Sequence, residues 1–371
     1  MVRIQRLSVP IASGAFFLFL AGFVSIRQAV LFVVGIGLGA CLAGGRFGFT
    51  TGWRELLRSK DPRGVVGQAF LLLLASAMAL PLLSSFDELQ SAAGPISLSL
   101  LIGAFLFGLS MQIADGCGSG TLYKAGSGVA LNMGILPLFA LGSFLGSVHL
   151  PFWLSLGSLP PVLMLDHMGP LLSWALTALL IGLLILLVRW HVGPGRLWIK
   201  KPLMIAAIGL ALLATLNLLL SGQAWGVVYG FGLWAAKLAV ASAVFDPAHH
   251  GFWGLPQHQE RLRESLLLDV TSITNLGILA GAFAITHRSS LAKGSQAATQ
   301  GAQPQGHSAK QWAIALTAGF VMGYSSRLAF GCNVGAMLSG ITTGSLHGWI
   351  WLLTAFVGTM PGIRLRDRYG F

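Results

Sequence analysis

Charged residues are scarce in this sequence, and their scarcity excludes most soluble folds. Of 371 residues, only 9% are Asp, Glu, Lys or Arg, and 55% are hydrophobic. Soluble globular domains carry about 25% charged residues. Apolar runs of about 17–21 residues recur along the chain, each long enough to cross a bilayer core of roughly 30 Å. The sequence therefore predicts an all-α polytopic membrane protein with about 9–11 transmembrane helices.

Acidic residues are scarcer still, since 11 Asp and Glu stand against 23 Lys and Arg, for a net charge of +12. The basic residues lie in short loops between the apolar runs, which is typical of the positive-inside rule and argues against nucleic-acid binding. The loop from Glu55 to Arg63 is therefore expected in the cytoplasm. The first apolar stretch, Ala12 to Ile26, lacks a small-residue cleavage site, so we expect no cleavable signal.

Only three cysteines are present, Cys41, Cys117 and Cys332. An odd, small number excludes a disulfide framework. The sequence contains no Cys-x-x-Cys motif and no clustered carboxylates beside the cysteines. Calcium, magnesium, zinc and copper sites need such groupings, so we predict neither a metal site nor a cofactor. A cysteine in an apolar, Gly-rich stretch is often only a small buried hydrophobe.

Two stretches that contain Cys117 and Cys332 repeat one another. Without a gap, residues 108–120 and 323–335 agree at six positions: Gly108/Gly323, Ser110/Ser325, Ala114/Ala329, Gly116/Gly331, Cys117/Cys332 and Gly120/Gly335. Each is an apolar helix that runs into a Gly-Cys break. Interrupted apolar segments at corresponding positions of two halves indicate the substrate site of a transporter. We therefore predict two pseudo-symmetric, inverted halves, residues 1–190 and 202–371.

The chain after each break is too polar or too rich in small residues to face lipid. Irregular backbone at membrane depth is tolerated only where it is buried in protein or lines a cavity, so we predict a re-entrant half-helix after each break. The N–H groups at the start of a half-helix attract anions. A thiol adds a weak donor and a polarizable sulfur. With Cys117 near Cys332, the pair favours a small sulfur- or selenium-bearing anion.

Five charged residues lie inside or at the ends of the predicted spans: Asp115, Lys124, Lys237, Asp269 and Arg327. Charges in lipid are costly and are candidates for function. Lys124 and Arg327 are candidates to draw an anion, and an ion pair with Asp115 is the alternative. Lys237 and Asp269 are expected to be structural. Trp349 and Trp351, near the start of a span, are expected to be interfacial anchors.

Charge counting leaves one part of the topology open. If every candidate span crosses fully, the basic segments Arg189–Lys201 and Arg288–Lys310 fall on opposite faces of the membrane. Either one candidate between them does not cross, or two half-helices share one crossing. The second segment is rich in Ser, Gln and Gly, a composition typical of a flexible loop.

Three stretches resemble the YeeE/YedE family of bacterial sulfur-compound transporters: Ala114–Gly126, Phe330–Gly340 and Arg46–Arg54. The resemblance implies a multi-pass permease of the bacterial inner membrane, not an enzyme, for thiosulfate or a related sulfur or selenium species. In the family, cysteines along a central path hand the substrate through. That role carries over to Cys117 and Cys332, flanked by Gly116, Gly331 and Asn333. Membrane lipid and a cytosolic sulfur-carrier protein are the further partners expected.

One position departs from the family pattern. The first signature commonly has Arg-Phe-Cys, and here Gly48 stands in place of the cysteine. Cys41 lies seven residues earlier, close to two helical turns, and so on about the same helical face. Cys41 either replaces the missing thiol in the path or only packs, since Gly44 and Gly45 can end the helix between them.

Other functions are also compatible with these residues. A membrane thiol-redox protein would use Cys117 and Cys332 as a dithiol pair, but the sequence has no Cys-x-x-Cys and no haem or quinone signature. An importer of a different small inorganic anion would use the same breaks. A membrane scaffold without transport would leave the paired breaks unexplained.

Overall fold

The computed structural model describes residues 2–293 and 307–371, so most of the predicted flexible loop between Arg288 and Lys310 lies outside the described residues. The helices in this part of the chain are α1 Val2–Phe23, α2 Ile26–Gly45, α3 Phe49–Ser59, α4 Arg63–Ser85, α5 Leu98–Ile113, α6 Gly118–Gly126, α7 Ala130–Ser155, α8 Met164–Val192, α9 Lys201–Ser221, α10 Val228–Ala241, α11 Pro256–Arg263, α12 Val270–Lys293, α13 Ala309–Leu328, α14 Ser339–Thr342 and α15 Leu346–Arg368. A π-helical turn, Asn333–Leu338, precedes α14. Two short strands, β1 Ile96–Ser97 and β2 Ser158–Leu159, pair antiparallel with Ile96 opposite Leu159.

Nine helical stretches in the described ranges are long and apolar enough to cross a membrane. The prediction of an all-α polytopic membrane protein is confirmed. In two of the nine, a helix and the half-helix after it together form one span, Leu98–Gly126 and Ala309–Thr342. These two spans contain the Gly-Cys breaks.

One end of the bundle, here called the outer face, is formed by the loops of residues 86–97, 156–163 and 343–345. The Ser91 hydroxyl donates to the Thr343 carbonyl at 3.3 Å. The Gln90 N–H donates to the carbonyl of Gly222, just after α9, at 2.8 Å. Helix α9 therefore ends on the outer face.

Helix α12 begins on the outer face, where α9 ends. The start of α2 contacts both, because Arg27 Nε donates to the Leu220 carbonyl at 2.7 Å and Gln28 Nε2 donates to the Leu268 carbonyl at 2.6 Å. The chain between α9 and α12 therefore returns to the outer face. Helix α10, with 14 residues, does not cross.

The opposite end, here called the basic face, contains residues 189–201, Arg288 and residues 364–368. The conflict in charge counting is resolved, since the basic segments before α9 and after α12 fall on one face. An ion pair between Arg58 and Asp367 joins α3 to the end of α15 on this face. The positive-inside rule predicts that the basic face is the cytoplasmic one.

The two broken spans run in opposite directions. Helix α5 begins on the outer face, where the Leu98 N–H donates to the Gly157 carbonyl at 3.4 Å, and α6 ends beside the start of α7 on the basic face. Helix α14 ends on the outer face, where the Leu346 N–H donates to the Val162 carbonyl at 3.0 Å. Each half-helix thus completes the crossing that the preceding helix begins, instead of returning to its own face as a re-entrant segment would.

Contacts between helices occur in matching pairs, in which the equivalent helices of the two parts of the chain take each other's place. Helix α7 packs on α13 as α15 packs on α5, and α2 packs on α12 as α9 packs on α4. Half-helix α6 contacts α12 as α14 contacts α4. This is the pattern of an internal two-fold pseudo-symmetry. The limits of the two halves, 1–190 and 202–371, stay a prediction.

Glycines bring the reciprocal helix pairs into close contact. A Cβ on Gly323 of α13 would overlap the carbonyl of Phe139 on α7, and a Cβ on Gly108 of α5 would overlap the carbonyl of Ala355 on α15. Small residues at such crossings let backbones approach closely, which supplies the packing that holds helices together in lipid.

The prediction that Trp349 and Trp351 are interfacial anchors is wrong. Both are buried, and Trp351 is fully so. Its ring packs against Trp53 of α3 and Phe107 of α5, with centroids 6.4 and 5.5 Å away. Because α15 is the reciprocal partner of α5, its first turns face the protein interior.

We expect Gly323→Leu to destabilise the protein by about 1–3 kcal/mol or more, because the added side chain must push α13 away from α7. Gly182→Leu on α8 is the matched control, since a Cβ there has no neighbour within 4 Å. Thermal unfolding in detergent measures both. Equal unfolding temperatures for the two variants would contradict the close crossing.

Candidate substrate site at the two helix breaks

The first break has a defined hydrogen-bonded structure. Asp115 has left-handed backbone, with φ 52°. The Gly116 N–H donates back to the Met111 carbonyl at 3.1 Å. Cys117 then caps α6: its carbonyl accepts from the Thr121 N–H at 2.7 Å, and its Sγ accepts from the Gly120 N–H at 3.3 Å.

The second break repeats this backbone structure. Phe330, equivalent to Asp115, has φ 58°. The Gly331 N–H donates to the Ser326 carbonyl, and the Ala336 N–H donates to the Cys332 carbonyl, both at 2.8 Å. Gly331 has φ 148°, where a Cβ would lie 2.5 Å from the Ala336 nitrogen, so only glycine fits. The sequence repeat is therefore also a repeat of backbone geometry.

The two breaks bring Cys117 and Cys332 together. A Cβ on Gly118, the residue after Cys117, would lie 3.0 Å from Cys332 Sγ and 3.6 Å from the ring of Phe139. Both cysteines are buried, with 1% and 0% of their surface exposed, and both are free thiols. The thiols lie where α6 meets the π-helical turn, each at the start of its half-helix.

Asn333 follows Cys332 directly and is fully buried. Neither its Nδ2 nor its Oδ1 has a hydrogen-bond partner. In the first turn of α6, the buried hydroxyl of Thr121 also has no partner. Unpartnered buried polar groups are rare and costly in folded proteins. These groups are therefore available for hydrogen bonds beside both thiols.

Asp115 lies at the basic-face end of the first break among three cations. Its Oδ1 lies 3.0 Å from a guanidinium nitrogen of Arg54 and 3.0 Å from one of Arg366, and its Oδ2 lies 2.6 Å from Lys124 Nζ. Lys124 also donates to the Asp115 carbonyl. The ion-pair alternative for Lys124 is thus present, whereas Arg327 takes no part. Three cations around one carboxylate leave an excess of positive charge.

A cavity of about 690 Å³ opens at the basic face. Its charged lining residues are Arg46, Glu55, Lys124 and Lys200. Tyr123, next to Lys124 on α6, also lines it, so the cavity reaches the half-helix that starts at Cys117. Positive charge in a cleft of this kind raises the local concentration of anions.

Arg327 lies toward the outer face, near the end of α13. Its guanidinium carbon is 4.9 Å from the ring centre of Phe252 and 5.5 Å from that of Tyr229. The Nε of Arg327 has no hydrogen-bond partner, and its side chain forms no ion pair among the described residues. The aromatic rings supply only cation–π contacts, so the charge stays available to an anion.

His258 completes the aromatic cover over Arg327. Its ring stacks on Phe252 with centroids 4.0 Å apart, and its Nδ1 lies 2.9 Å from the Tyr229 hydroxyl. Burial, and then the charges of Arg327 and Arg261, lower the pKa of His258 to about 4. The imidazole is therefore neutral at pH 7 and adds no charge beside Arg327.

Cys41 lies apart from the two breaks. Its Sγ packs against Gly209 of α9, where a Cβ would lie 2.6 Å from the sulfur. Helix α2 ends at Gly45, with Arg46 in left-handed conformation, so the helical face of Cys41 does not continue to Gly48. Gly48 itself lines the cavity on the basic face.

Lys237 and Asp269 have structural roles, as expected. Lys237 Nζ donates to the Leu262 carbonyl at 2.7 Å and so ties α10 to α11. The Asp269 carboxylate accepts from the Ser272 N–H at 2.7 Å and caps the start of α12, and Arg261 contacts it at 3.4 Å.

Sequence reasoning missed four basic residues of the site. Arg54 and Arg366 contact Asp115, and Arg46 and Lys200 line the cavity. Arg46 and Arg54 begin and end the signature stretch and could have been found there. Arg366 and Lys200 stand in basic runs that the positive-inside rule already explains, so no local signal distinguishes them.

Residues 44–361 match the family model described as "Sulphur transport". The chain belongs to this family. It is therefore a transporter of sulfur compounds and not an enzyme, as the sequence predicts. The chain is 26% identical over 352 residues to the thiosulfate transporter TsuA of Spirochaeta thermophila, covering 90% of this chain and 98% of that protein.

Two other relatives match shorter parts. The probable transporter YedE of Salmonella typhimurium is 27% identical over 169 residues, 46% of this chain and 38% of that protein. The thiosulfate transporter TsuA of Escherichia coli is 30% identical over 97 residues, 26% of this chain and 28% of that protein.

We expect Cys41→Ala to keep uptake of the sulfur substrate near the wild-type rate, because its thiol packs on α9 away from both breaks. Uptake by Cys41→Ala and by Cys41→Ala/Gly48→Cys is compared in the same membrane preparation. A large loss in the first variant, with recovery in the second, would instead put Cys41 in the path.

Asp115→Asn should lower the free energy of unfolding by about 1–3 kcal/mol, because the carboxylate holds three partly buried cations together. Asp61→Asn is the control, since it pairs with a single cation, Arg63 at the start of α4, whose side chain is 37% exposed, and such pairs contribute about 1 kcal/mol or less. Denaturation in detergent compares them. An equal, small loss would mean that the Asp115 cluster does not stabilise the break.

Proposed function

We propose that this transporter takes up thiosulfate, or a closely related sulfur or selenium anion, across the bacterial cytoplasmic membrane through the region between the two breaks. The observation that carries the proposal is the approach of Cys332 Sγ to Gly118, which adjoins Cys117. Two buried thiols thus stand at the starts of two half-helices that run from the breaks to opposite faces.

Thiols suit a sulfur anion better than a hard oxyanion. A thiol S–H is a weak donor and its sulfur is polarizable, so it contacts the terminal sulfur of thiosulfate without the strong desolvation cost of an ionic partner. With Cys117 and Cys332 close together, the terminal sulfur passes from one thiol to the other without leaving protein contact. The half-helix N–H groups after Cys117 favour the negative charge of the substrate.

Positive charge on both sides of the thiols supports an anion path. Arg327 lies on the outer side with no carboxylate partner among the described residues, and Lys124 lies on the basic side in a cluster with excess positive charge. The cavity continues from Lys124 to the basic face. A path with an excess of positive charge draws anions toward the thiols.

The relatives give the substrate class further support. The relative from Spirochaeta thermophila, matched over 98% of its length, is named a thiosulfate transporter. Transfer of the imported sulfur to a cytosolic sulfur-carrier protein stays a prediction, for which the basic rim of the cavity, with Arg46 and Lys200, is the place to test contact.

Cys117→Ala and Cys332→Ala should each abolish thiosulfate uptake while the protein stays folded and inserted. A small thiol replaced by Ala removes little buried volume, so the free energy of unfolding should fall by only about 1 kcal/mol. Uptake of radiolabelled thiosulfate is measured in a strain without other sulfur importers, with Cys41→Ala as the matched control. Growth on one sulfur source at a time then ranks the substrates.

Two outcomes would contradict this function. Normal uptake by both cysteine variants would remove the thiols from the path. An alkylating probe gives a second test at Cys117. If the extent of labelling changes with reductant but is not blocked by thiosulfate, the thiol-redox function is favoured instead.

A further inference from the structure

The side-chain amide of Asn333 is a polar group that the fold leaves without any partner. Asn333 is fully buried, and its Nδ2 and Oδ1 both lack a hydrogen bond. No other described residue has two such unpartnered side-chain atoms. Leaving a buried amide unpaired opposes folding, so a residue with this arrangement calls for an occupant that bonds to the amide.

Other buried asparagines show what the fold does with an amide that is purely structural. Asn275 Nδ2 donates to the Val227 carbonyl at 2.9 Å, and Asn217 Nδ2 donates to the Gln223 carbonyl at 3.2 Å. Asn132 Nδ2 reaches the Ala114 carbonyl at 3.5 Å, at the first break itself. Each of these amides fixes one segment to another, whereas the Asn333 amide fixes nothing.

Asn333 is also placed next to the thiol pair. It follows Cys332, whose Sγ would lie 3.0 Å from a Cβ on Gly118, and in the repeat Asn333 is the equivalent of Gly118. The first half-helix thus presents bare backbone at the position where the second presents an amide. At this pair of equivalent positions only the second half-helix carries a polar side chain, and this difference gives a bound anion a fixed orientation.

We propose that Asn333 binds the oxygen end of a sulfur oxyanion while Cys117 and Cys332 contact its terminal sulfur. This assignment rests on the proposed function and adds the basis of selectivity. An amide NH₂ group donates to two acceptors and suits sulfonyl oxygens, whereas a thiol pair does not. Thiosulfate carries both ends, hydrosulfide lacks the oxygens, and sulfate lacks the terminal sulfur.

The test compares Asn333→Leu with Asn217→Leu as a matched control away from the breaks. Radiolabelled thiosulfate uptake is measured against unlabelled thiosulfate, sulfite, sulfate and hydrosulfide. For Asn333→Leu the KM for thiosulfate should rise about tenfold, as expected for loss of one hydrogen bond to an anion. Hydrosulfide should compete as well as it does in the wild type, because it makes no contact with the amide.

Thermal unfolding gives a second measurement that does not depend on transport. Asn333→Leu without substrate should unfold no earlier than the wild type, because no hydrogen bond is lost, but added thiosulfate should stabilise it less. Asn217→Leu should unfold earlier and keep the wild-type KM, because the Asn217 Nδ2 donates to Ser221 and to the Gln223 carbonyl within the fold. If Asn333→Leu does not insert, Asn333→Ala is measured in the same way.

The outcomes separate this inference from the proposed function. An unchanged KM and an unchanged competitor ranking for Asn333→Leu would overturn the inference, and Asn333 would then hold only a buried water. If the cysteine variants transport normally while Asn333→Leu raises the KM, the thiol path is wrong and the oxyanion contact stands. If the cysteine variants lose uptake and Asn333→Leu does not change the KM, the thiol path stands alone.

Discussion

The structure depends on one constraint, that a break in a membrane helix must have its backbone groups satisfied inside the protein. Water is absent from the bilayer core, so unpaired N–H and C=O groups there are costly. Each broken helix end receives help from a helix of the other break or the next span. The Ser99 hydroxyl of α5 donates to the Leu328 carbonyl at the end of α13, and Asn132 of α7 reaches the Ala114 carbonyl at the end of α5. Gly108 and Gly323 permit the close crossings that this arrangement needs.

The same backbone frame is used twice with different side chains, and the differences give the site its direction. Asp115, with three cations, stands where the second break has Phe330. Arg327 stands where the first break has Gln112. As a result, three positive charges toward the basic face are paired with Asp115, and Lys124 among them lines a cavity. Toward the outer face, Arg327 is a single positive charge covered by aromatic rings. Two breaks with the same backbone thereby differ in the charge that surrounds them.

Polar side chains that join helices and polar side chains beside the thiols differ in their hydrogen bonding. Asp269 caps α12 and Lys237 ties α10 to α11, each through hydrogen bonds within the fold. By contrast, Asn333 and Thr121 have unpartnered side-chain atoms within the first turns after the cysteines. An unpartnered buried polar group lowers the stability of the fold. A small polar molecule that bonds to these groups beside the thiols would recover part of that stability.

The sequence by itself determined the features that hydropathy and helix-breaking residues encode locally. The apolar runs predicted the membrane spans, the repeated Gly-Cys pair predicted both breaks, and the signature stretches indicated the family. Which side chains meet was decided only by the tertiary structure. The partners Arg54 and Arg366 of Asp115, the position of Cys41 against Gly209, and the burial of Trp351 all follow from which helices pack together. Such contacts join residues far apart in the chain, and a periodic pattern in a single helix shows which residues are apolar but not which neighbour they face.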